Sequence, residues 1–469
     1  MTIERGPLAR IMGDGVLSSV YQPIVDLDTR TVFGFEALAR GPHGSALARP
    51  DQLFAAAADL GLTSKLDWEC QASAFQGALA AGLGKSAQLF VNIEPCSLGT
   101  PRPTHLDHLF AQACSALSVI VEITERALLD DPAAVISTLD MLRAVGFGIA
   151  LDDVGANPDS LALLPFLEPD VIKLDLHLVQ QRADAEIAAI ATAVGADAER
   201  RNAIVLAEGI ETLEHLDRAR VLGAQLGQGW LFGRPRPLCD PSPSHSTPFK
   251  PKGVASTAAT PWELVRDRPD RRTTTKALLM PMSDHLEQHG TAGPDRAVVL
   301  SAFQQATHFT PATAARYERL ARRCSLVGAI ARDLRPFVAG VRHGTLTTGH
   351  PLEREWSVTV VTPHYAGALI AREHLTTSDN DSERVFDYVI TYDRPTVIAA
   401  ARSLMQHLAP IGSTWVLRAS SPPATLTSIK SKQAKVEFPR TDHIAHSIHP
   451  AFSAASSPSR PQPFSESPR

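Results

Sequence analysis

The sequence predicts an α/β protein: a (β/α)8 TIM-like barrel, then a smaller α+β domain and a disordered tail. Three observations predict it. Up to about residue 238, eight short apolar runs alternate with Ala/Leu-rich stretches at helical spacing. From Cys239 to Thr260 the composition turns to CDPSPSHSTPFKPKGVASTAAT, which cannot build a core and reads as a linker. From Ala419 the chain is Ser/Pro-rich with few large apolar residues. The expected division is a barrel over 1–238, a linker over 239–260, a second domain over 261–418 and a disordered tail over 419–469.

The strand candidates follow one another as VYQPIVDL (20–27), VFGFEALA (32–39), LFVNIEP (89–95) and VIVEITE (119–125). GIALDDV (148–154), VIKLDL (171–176), IVLAEGI (204–210) and GQGWLFG (227–233) complete the eight. Segments such as DPAAVISTLDMLRAVG lie between them, with a Gly to stop the helix. In the second domain AVVLSAFQQATHF and AARYERLARRCSLVGAIARDL read as helical patterns. WSVTVVTP and RVFDYVITYD read as strands, and TVIAAARSLMQHL as a helix.

At 469 residues the chain is too long for one typical core. Its 44% hydrophobic and 20% charged residues are those of a globular protein. The formal net charge is -5 with no long Lys/Arg run, so no DNA-binding surface is expected. No run of about eighteen apolar residues suggests a membrane span, and the N-terminal stretch lacks a signal peptide's apolar segment. Five widely spaced cysteines without a CxxC read as buried free thiols of a reducing compartment. A cytoplasmic location is the expectation.

The apolar runs carry the chemistry at their ends. They finish in Asn92 (FVN), Glu122 (VIVE), Asp152 and Asp153 (IALDD), Lys173 (VIK) and Glu208 (VLAE), and FGFE adds Glu36. Taken singly, an acid after a strand is commonly a helix cap or a solvated loop residue. Six strands ending the same way are different, because a barrel brings the C-terminal ends of its parallel strands to one mouth. Carboxylates gathered there repel unless cations neutralise them. Hard oxygen ligands with one Asn suit Mg²⁺ or Mn²⁺ rather than zinc.

These residues also carry a resemblance. From about Val16 to Pro237 the chain resembles the EAL domain, the family of cyclic di-GMP phosphodiesterases. The matching motifs are YQPIV (21–25), EALAR (36–40), VNIEP (91–95), VEITE (121–125), LDDVG (151–155), DVIKLD (170–175), AEGIET (207–212) and QGWLFGRP (228–235). The resemblance implies a two-metal hydrolase that opens cyclic di-GMP to linear pGpG. It implies that Glu36, Asn92, Glu122 and Asp152 hold one divalent cation, Mg²⁺ or Mn²⁺, and that Asp152 with Asp153 serves a second. It further implies that Lys173 contacts the attacking water, and that Glu208 and Gln228 complete the metal and water network. Gln22 and Arg40 match dinucleotide-contacting positions, and Glu125 one that steadies the loop after Asp153. A homodimer through the barrel is compatible with the family.

The departure lies in that loop, DDVGANPDSL at 152–161, where the family has DDFGTGYSSL. Asn157, Pro158 and Asp159 stand where the family has glycine, an aromatic and serine. The region from about Trp262 to Pro410 resembles the DICT domain, a sensory module attached to cyclic di-GMP enzymes and two-component proteins. An unknown signal or protein partner is expected there. The leading reading is thus a cyclic di-GMP phosphodiesterase regulated by its C-terminal domain. The alternative is a catalytically weak or inactive cyclic di-GMP receptor signalling through that domain.

Overall fold

A computed structural model describes residues 16–94, 100–157, 160–239, 260–293, 295–335, 338–374 and 380–410, together with 8, 11, 12, 97 and 249–253. The tail expected from residue 419 lies outside them. The first half runs β1 (Ser18–Asp26), β2 (Val32–Arg40), α1 (Pro50–Asp59), α2 (Thr63–Ala80), β3 (Gln88–Asn92), α3 (Asp107–Ala116) and β4 (Ser118–Thr124). It continues with α4 (Glu125–Asp130), α5 (Pro132–Ala144), β5 (Gly148–Val154), α6 (Ser160–Leu167), β6 (Val171–Leu174) and α7 (Leu176–Gln180). Then come α8 (Ala185–Arg201), β7 (Ile204–Ala207), α9 (Leu213–Val221) and β8 (Leu226–Gln228). The eight strands close into a barrel in sequence order.

Local chemistry sets the ends of the helices. Asp131 accepts from Ala134 N at 3.1 Å ahead of Pro132, Asp184 accepts from Ile187 N at 2.9 Å, and Asn202 ends α8 in the left-handed region. The barrel departs from an all-parallel one at β1, which runs antiparallel to both β2 and β8. The cause is local: only five residues separate β1 from β2, too few for a crossover helix. Asp26 Oδ1 instead accepts from Asp28 N at 3.0 Å and Thr29 N at 2.8 Å, and Arg30 takes a positive φ of 62°.

Inside the barrel each strand contributes one buried apolar residue: Ile24, Phe33, Phe90, Ile120, Ala150, Val171, Leu206 and Leu226. Phe249, from the Pro/Ser-rich segment, packs beneath this layer, 6.3 Å from Phe33 and edge-on to it. Gly148 leaves room for it, since a Cβ there would lie 2.7 Å from the Phe249 ring. Lys252 fixes the same segment, its N donating to Asp170 Oδ1 at 3.0 Å and its Nζ to Pro169 O at 2.7 Å.

The second half runs α10 (Pro261–Val265), β9 (Arg272–Thr275), α11 (Lys276–His289), β10 (Val298–Gln305), α12 (Pro311–Ala321), β11 (Leu326–Arg332) and β12 (Val341–Leu346). β13 (Glu355–Val361), β14 (Ala366–Glu373), β15 (Val385–Thr391) and α13 (Arg394–Met405) complete it. The sheet order is β12-β11-β10-β13-β14-β15-β9, parallel only among β10, β11 and β12. Two expectations fail here. AVVLSAFQQATHF is strand β10 followed by a 3-10 turn, and the second half of AARYERLARRCSLVGAIARDL is strand β11. Both strands are central and buried on both faces, which erases the alternation that marks a half-exposed strand.

One face of this sheet packs on α11 and α12, through Leu279, Leu286, Tyr317 and Leu320. The other packs on α10 and α13, in a cluster continuous with the barrel's outer core. The two halves belong to one compact unit. At their junction Arg402, 3% exposed, donates to Phe166 O and, at 3.2 Å, to Asp140 Oδ1. Arg342 donates to Asp130 O at 2.8 Å. Of the four described cysteines, Cys324 is buried, Cys70 and Cys114 are half-buried and Cys239 is exposed; all are free.

Candidate active site

The pleat explains how the polar residues reach the mouth. Successive strand side chains point to opposite faces, so a residue two places beyond an inward apolar one also points inward. Phe90, Ile120, Ala150, Val171, Leu206 and Leu226 are followed two residues on by Asn92, Glu122, Asp152, Lys173, Glu208 and Gln228. On the reversed β1 the offset runs backwards, from Ile24 to Gln22. The register places Gln22 opposite Glu36 and Ile24 opposite Gln228. The antiparallel hairpin thus carries an early residue of β1 to the same mouth.

Lys173 is the centre of this layer. It is 1% exposed, and its Nζ lies 2.7 Å from Glu122 Oε1, 2.7 Å from Glu208 Oε1, 2.9 Å from Asp152 Oδ1 and 4.0 Å from Glu36 Oε1. Burial pulls its pKa down, but Asp152, Glu122, Glu208 and Glu36 overcome that and hold it well above the ordinary lysine value. Glu122 is pushed well up by burial and by Glu36, against Lys173. Glu208, a fifth exposed at the mouth, is pushed up to about 8 by burial, with Lys173 opposing. Glu36 is held by neutral donors: Asn92 Nδ2 at 3.1 Å and Gln228 Nε2 at 2.6 Å. Gln228 also donates to Gln22 Oε1 at 3.2 Å.

Asp153 should point away from Asp152, as neighbours on a strand do. The register instead shifts between Leu151 and Val154, and Asp153 takes a φ of 56°. That left-handed kink brings carboxylate oxygens of Asp152, Asp153 and Glu208 within 4.8 Å of one another. Gly155 continues the turn at φ 99°, where a Cβ would lie 2.6 Å from Leu178 Cδ1. Asn157 bridges back to Val154. Pro158 and Asp159, the other loop departures, lie outside the described residues.

Arg40 stands half-buried at the end of β2, with Nη1 donating to Ala39 O at 2.8 Å. Burial lowers its pKa and Glu36 opposes the shift. Glu125 opens α4, and its side chain lies outside what the structure describes. Sequence reasoning missed Asp67 and Glu94, which with Asn92 line a cavity of about 290 Å³. Asp67 is buried, accepts from Gln71 Nε2 at 2.8 Å, and is pushed up to about 7 by burial. Glu94 sits inside VNIEP and could have been found there. Asp67, inside the helical stretch TSKLDWECQASAFQGALA, carries no comparable signal.

Five carboxylates (Glu36, Glu122, Asp152, Asp153 and Glu208) around one buried ammonium leave four formal negative charges. Glu122 Oε1 meets the Lys173 ammonium, but its buried Oε2 has no donor among the described residues. Oxygen-only donors, net negative charge and this unpartnered buried carboxylate oxygen suit divalent cations. The fold and site therefore define a (β/α)8 barrel with an acidic, cation-suited mouth.

Residues 8–235 are an EAL domain, and residues 263–374 match the family described as the sensory domain in diguanylate cyclases and two-component systems. The cyclic di-GMP phosphodiesterase RocR of Pseudomonas aeruginosa is 33% identical over 243 residues, which cover 49% of this chain and 60% of RocR. The cyclic di-GMP phosphodiesterase NbdA of the same organism is 32% identical over 237 residues, 49% of this chain and 30% of NbdA. The chain thus spans well under two thirds of these relatives. Klebsiella pneumoniae BlrP1, solved as a manganese/cyclic di-GMP complex, is 34% identical over 47% of this chain and 56% of that one, with a TM-score of 0.42. The sensory match stops at residue 374, whereas β15 and α13 extend the same domain to Met405.

Proposed function

We propose that the barrel hydrolyses cyclic di-GMP to linear pGpG with the help of two divalent cations, Mg²⁺ or Mn²⁺. The observation that carries this is the buried Lys173 ammonium among Glu36, Glu122, Asp152 and Glu208. Glu36, Asn92, Glu122 and Asp152 would hold one cation, and Asp152, Asp153 and Glu208 the other. Bound there, the cations would supply charge neutralisation and a more acidic water. With cations neutralising the carboxylates now paired with Lys173, one of its N–H groups is free to donate to the attacking water and align it on phosphorus. The water oxygen bonds to phosphorus as one P–O bond to ribose breaks. A mouth carboxylate takes the water's proton and the leaving ribose oxygen gains a proton, so the ring opens without loss of a nucleotide. Gln228 and Asn92 keep Glu36 oriented through the bonds described above. Gln22 and Arg40 contact the dinucleotide. The cavity beside Asn92, with Glu94 and Asp67 as acceptors, has the size and polarity for one guanine.

Regulation by the second domain is supported by the docking of α13 onto α5 and α6, the latter immediately following the altered loop. The receptor reading keeps one specific support: the departure at Asn157, in the loop that begins with Asp153. Incubating the full chain with cyclic di-GMP and Mg²⁺ or Mn²⁺ separates the two readings. Release of pGpG is expected; tight binding with no product under either cation establishes the receptor instead.

A further inference from the structure

A cavity of about 280 Å³ lies in the second domain, on the sheet face away from the barrel. It opens where β10 ends and α12 begins. β10, α12 and β11 form a parallel unit, while β13, on the other side of β10, runs antiparallel. The cavity therefore sits at the C-terminal end of β10, where the chain leaves the sheet for α12. The backbone is strained there: Gln304 takes a φ of 64° at a register shift between Ala302 and Gln305.

The walls have a definite chemistry. Phe303, Trp356 and Phe386 supply aromatic surface, with Trp356 and Phe386 edge-on at 5.8 Å. The charged groups are already satisfied. Lys276 pairs with Asp381, and Arg316 with Asp284 at 2.9 Å and Glu287 at 2.5 Å. His308 accepts from Arg384 Nη1 at 2.9 Å through Nε2, so Nδ1 donates to Phe303 O at 2.9 Å and the ring is neutral. What remains for a ligand is ring surface, the Met280 side chain and the hydroxyls of Ser283 and Thr307, the Thr310 hydroxyl being taken up in capping α12.

We propose that this cavity binds a small, uncharged, planar heteroaromatic molecule, its ring against Phe303, Trp356 and Phe386 and its polar edge on the hydroxyls. The volume suits about ten non-hydrogen atoms, at the low end for ligand sites. A charged ligand would have to break an existing ion pair to find its own partner. Binding there does not depend on what the barrel catalyses.

The test is binding to the full chain by calorimetry and saturation-transfer NMR, with indole, quinoline and benzoate as probes. Indole and quinoline are expected to bind with a Kd of about 1 mM or tighter, and benzoate at least about tenfold more weakly. Met280→Trp, at a partly exposed position on the wall, fills the cavity from its mouth. It should weaken indole at least about tenfold without changing the melting temperature. Ser283→Leu fills it from inside and should do the same; should that variant fail to fold, Met280→Trp decides. Absence of binding by both heteroaromatics, benzoate binding as tightly as indole, or unchanged indole affinity in Met280→Trp would each overturn the proposal.

Discussion

Replacing Lys173 by Met should destabilise the cation-free protein more than any single change at the mouth. The side chain is 1% exposed, and three carboxylate oxygens lie within 2.9 Å of its Nζ. Met fills similar volume, so the loss is electrostatic rather than a cavity. The five mouth carboxylates would go from four uncompensated formal charges to five. Removing one partner of a buried pair costs about 3–5 kcal/mol, and proton uptake by the carboxylates left behind favours the low end. At about 2.1 cal/mol/K of unfolding entropy per residue, one unit spanning Met1–Ser413 shifts by about 1.2 °C per kcal/mol, so about 3 kcal/mol is a fall of about 4 °C in melting temperature. Scanning calorimetry of wild type and Lys173→Met in EDTA measures it. Adding Mn²⁺ should then recover more of the loss in the variant, whose mouth carries the larger charge excess. A melting temperature within about 1 °C of wild type in EDTA would refute the reasoning, because Lys173 would then not be what neutralises the mouth.

Glu36→Ala should abolish cation-dependent pGpG release, read by chromatography of the products, since it removes a ligand and leaves Asn92 and Gln228 without their shared acceptor. Lys173→Met should lower turnover far more than cyclic di-GMP affinity, because orienting the water matters mainly in the transition state; equal losses would make it a phosphate-binding residue. Arg402→Ala should strand Phe166 O and Asp140 at the junction, costing about 2–4 kcal/mol and splitting one thermal transition into two; a single unshifted transition would count against the clamp. Glu355, pushed up to about 7 by burial, holds its proton more tightly folded than unfolded, so stability falls as pH rises from about 4.5 through 7 and levels above. Urea midpoints near pH 5 and pH 8 should show Glu355→Gln, which still accepts from Trp262 N, removing up to about 3 kcal/mol of that dependence.

The mouth was legible because an apolar strand residue followed two places later by a polar one is a pattern of sequence, repeated around a barrel. Gln22 fits only once β1 is known to run backwards, and that depends on the five-residue turn more than on the strand. Asp153 is legible as an acid but not as a neighbour of Asp152's carboxylate, which needs the left-handed kink. Strands β10 and β11 were misread because a strand buried on both faces carries no period of two. Arg402 and Phe249 were invisible for opposite reasons. One is a single charge in the apolar later turns of a helix, the other a lone aromatic in a Pro/Ser-rich stretch. Each acquires meaning only from the half of the chain it packs against.

That packing changes how regulation has to be tested. A flexible linker would let the second domain be cut away after Pro237 with the barrel undisturbed. Here truncation removes Phe249 from beneath the barrel's apolar layer and Lys252 from Asp170. It also uncovers the faces of α5 and α6 that carry α13. Altered turnover in the truncated barrel would then mix lost regulation with lost stability. The heteroaromatic cavity and α13 lie on opposite faces of one sheet, so any influence of a ligand must cross strands buried on both sides. Such layers transmit change by shifting between discrete packings rather than by bending. A ligand can bias that choice only by its differential affinity for the two packings. The informative comparison is therefore Met280→Trp against Arg402→Ala in the full chain, one blocking the cavity and the other loosening the junction. If the cavity acts on the barrel through α13, an indole-class ligand should change turnover in wild type and in neither variant. An unchanged response in Arg402→Ala would mean that the signal does not pass through that junction.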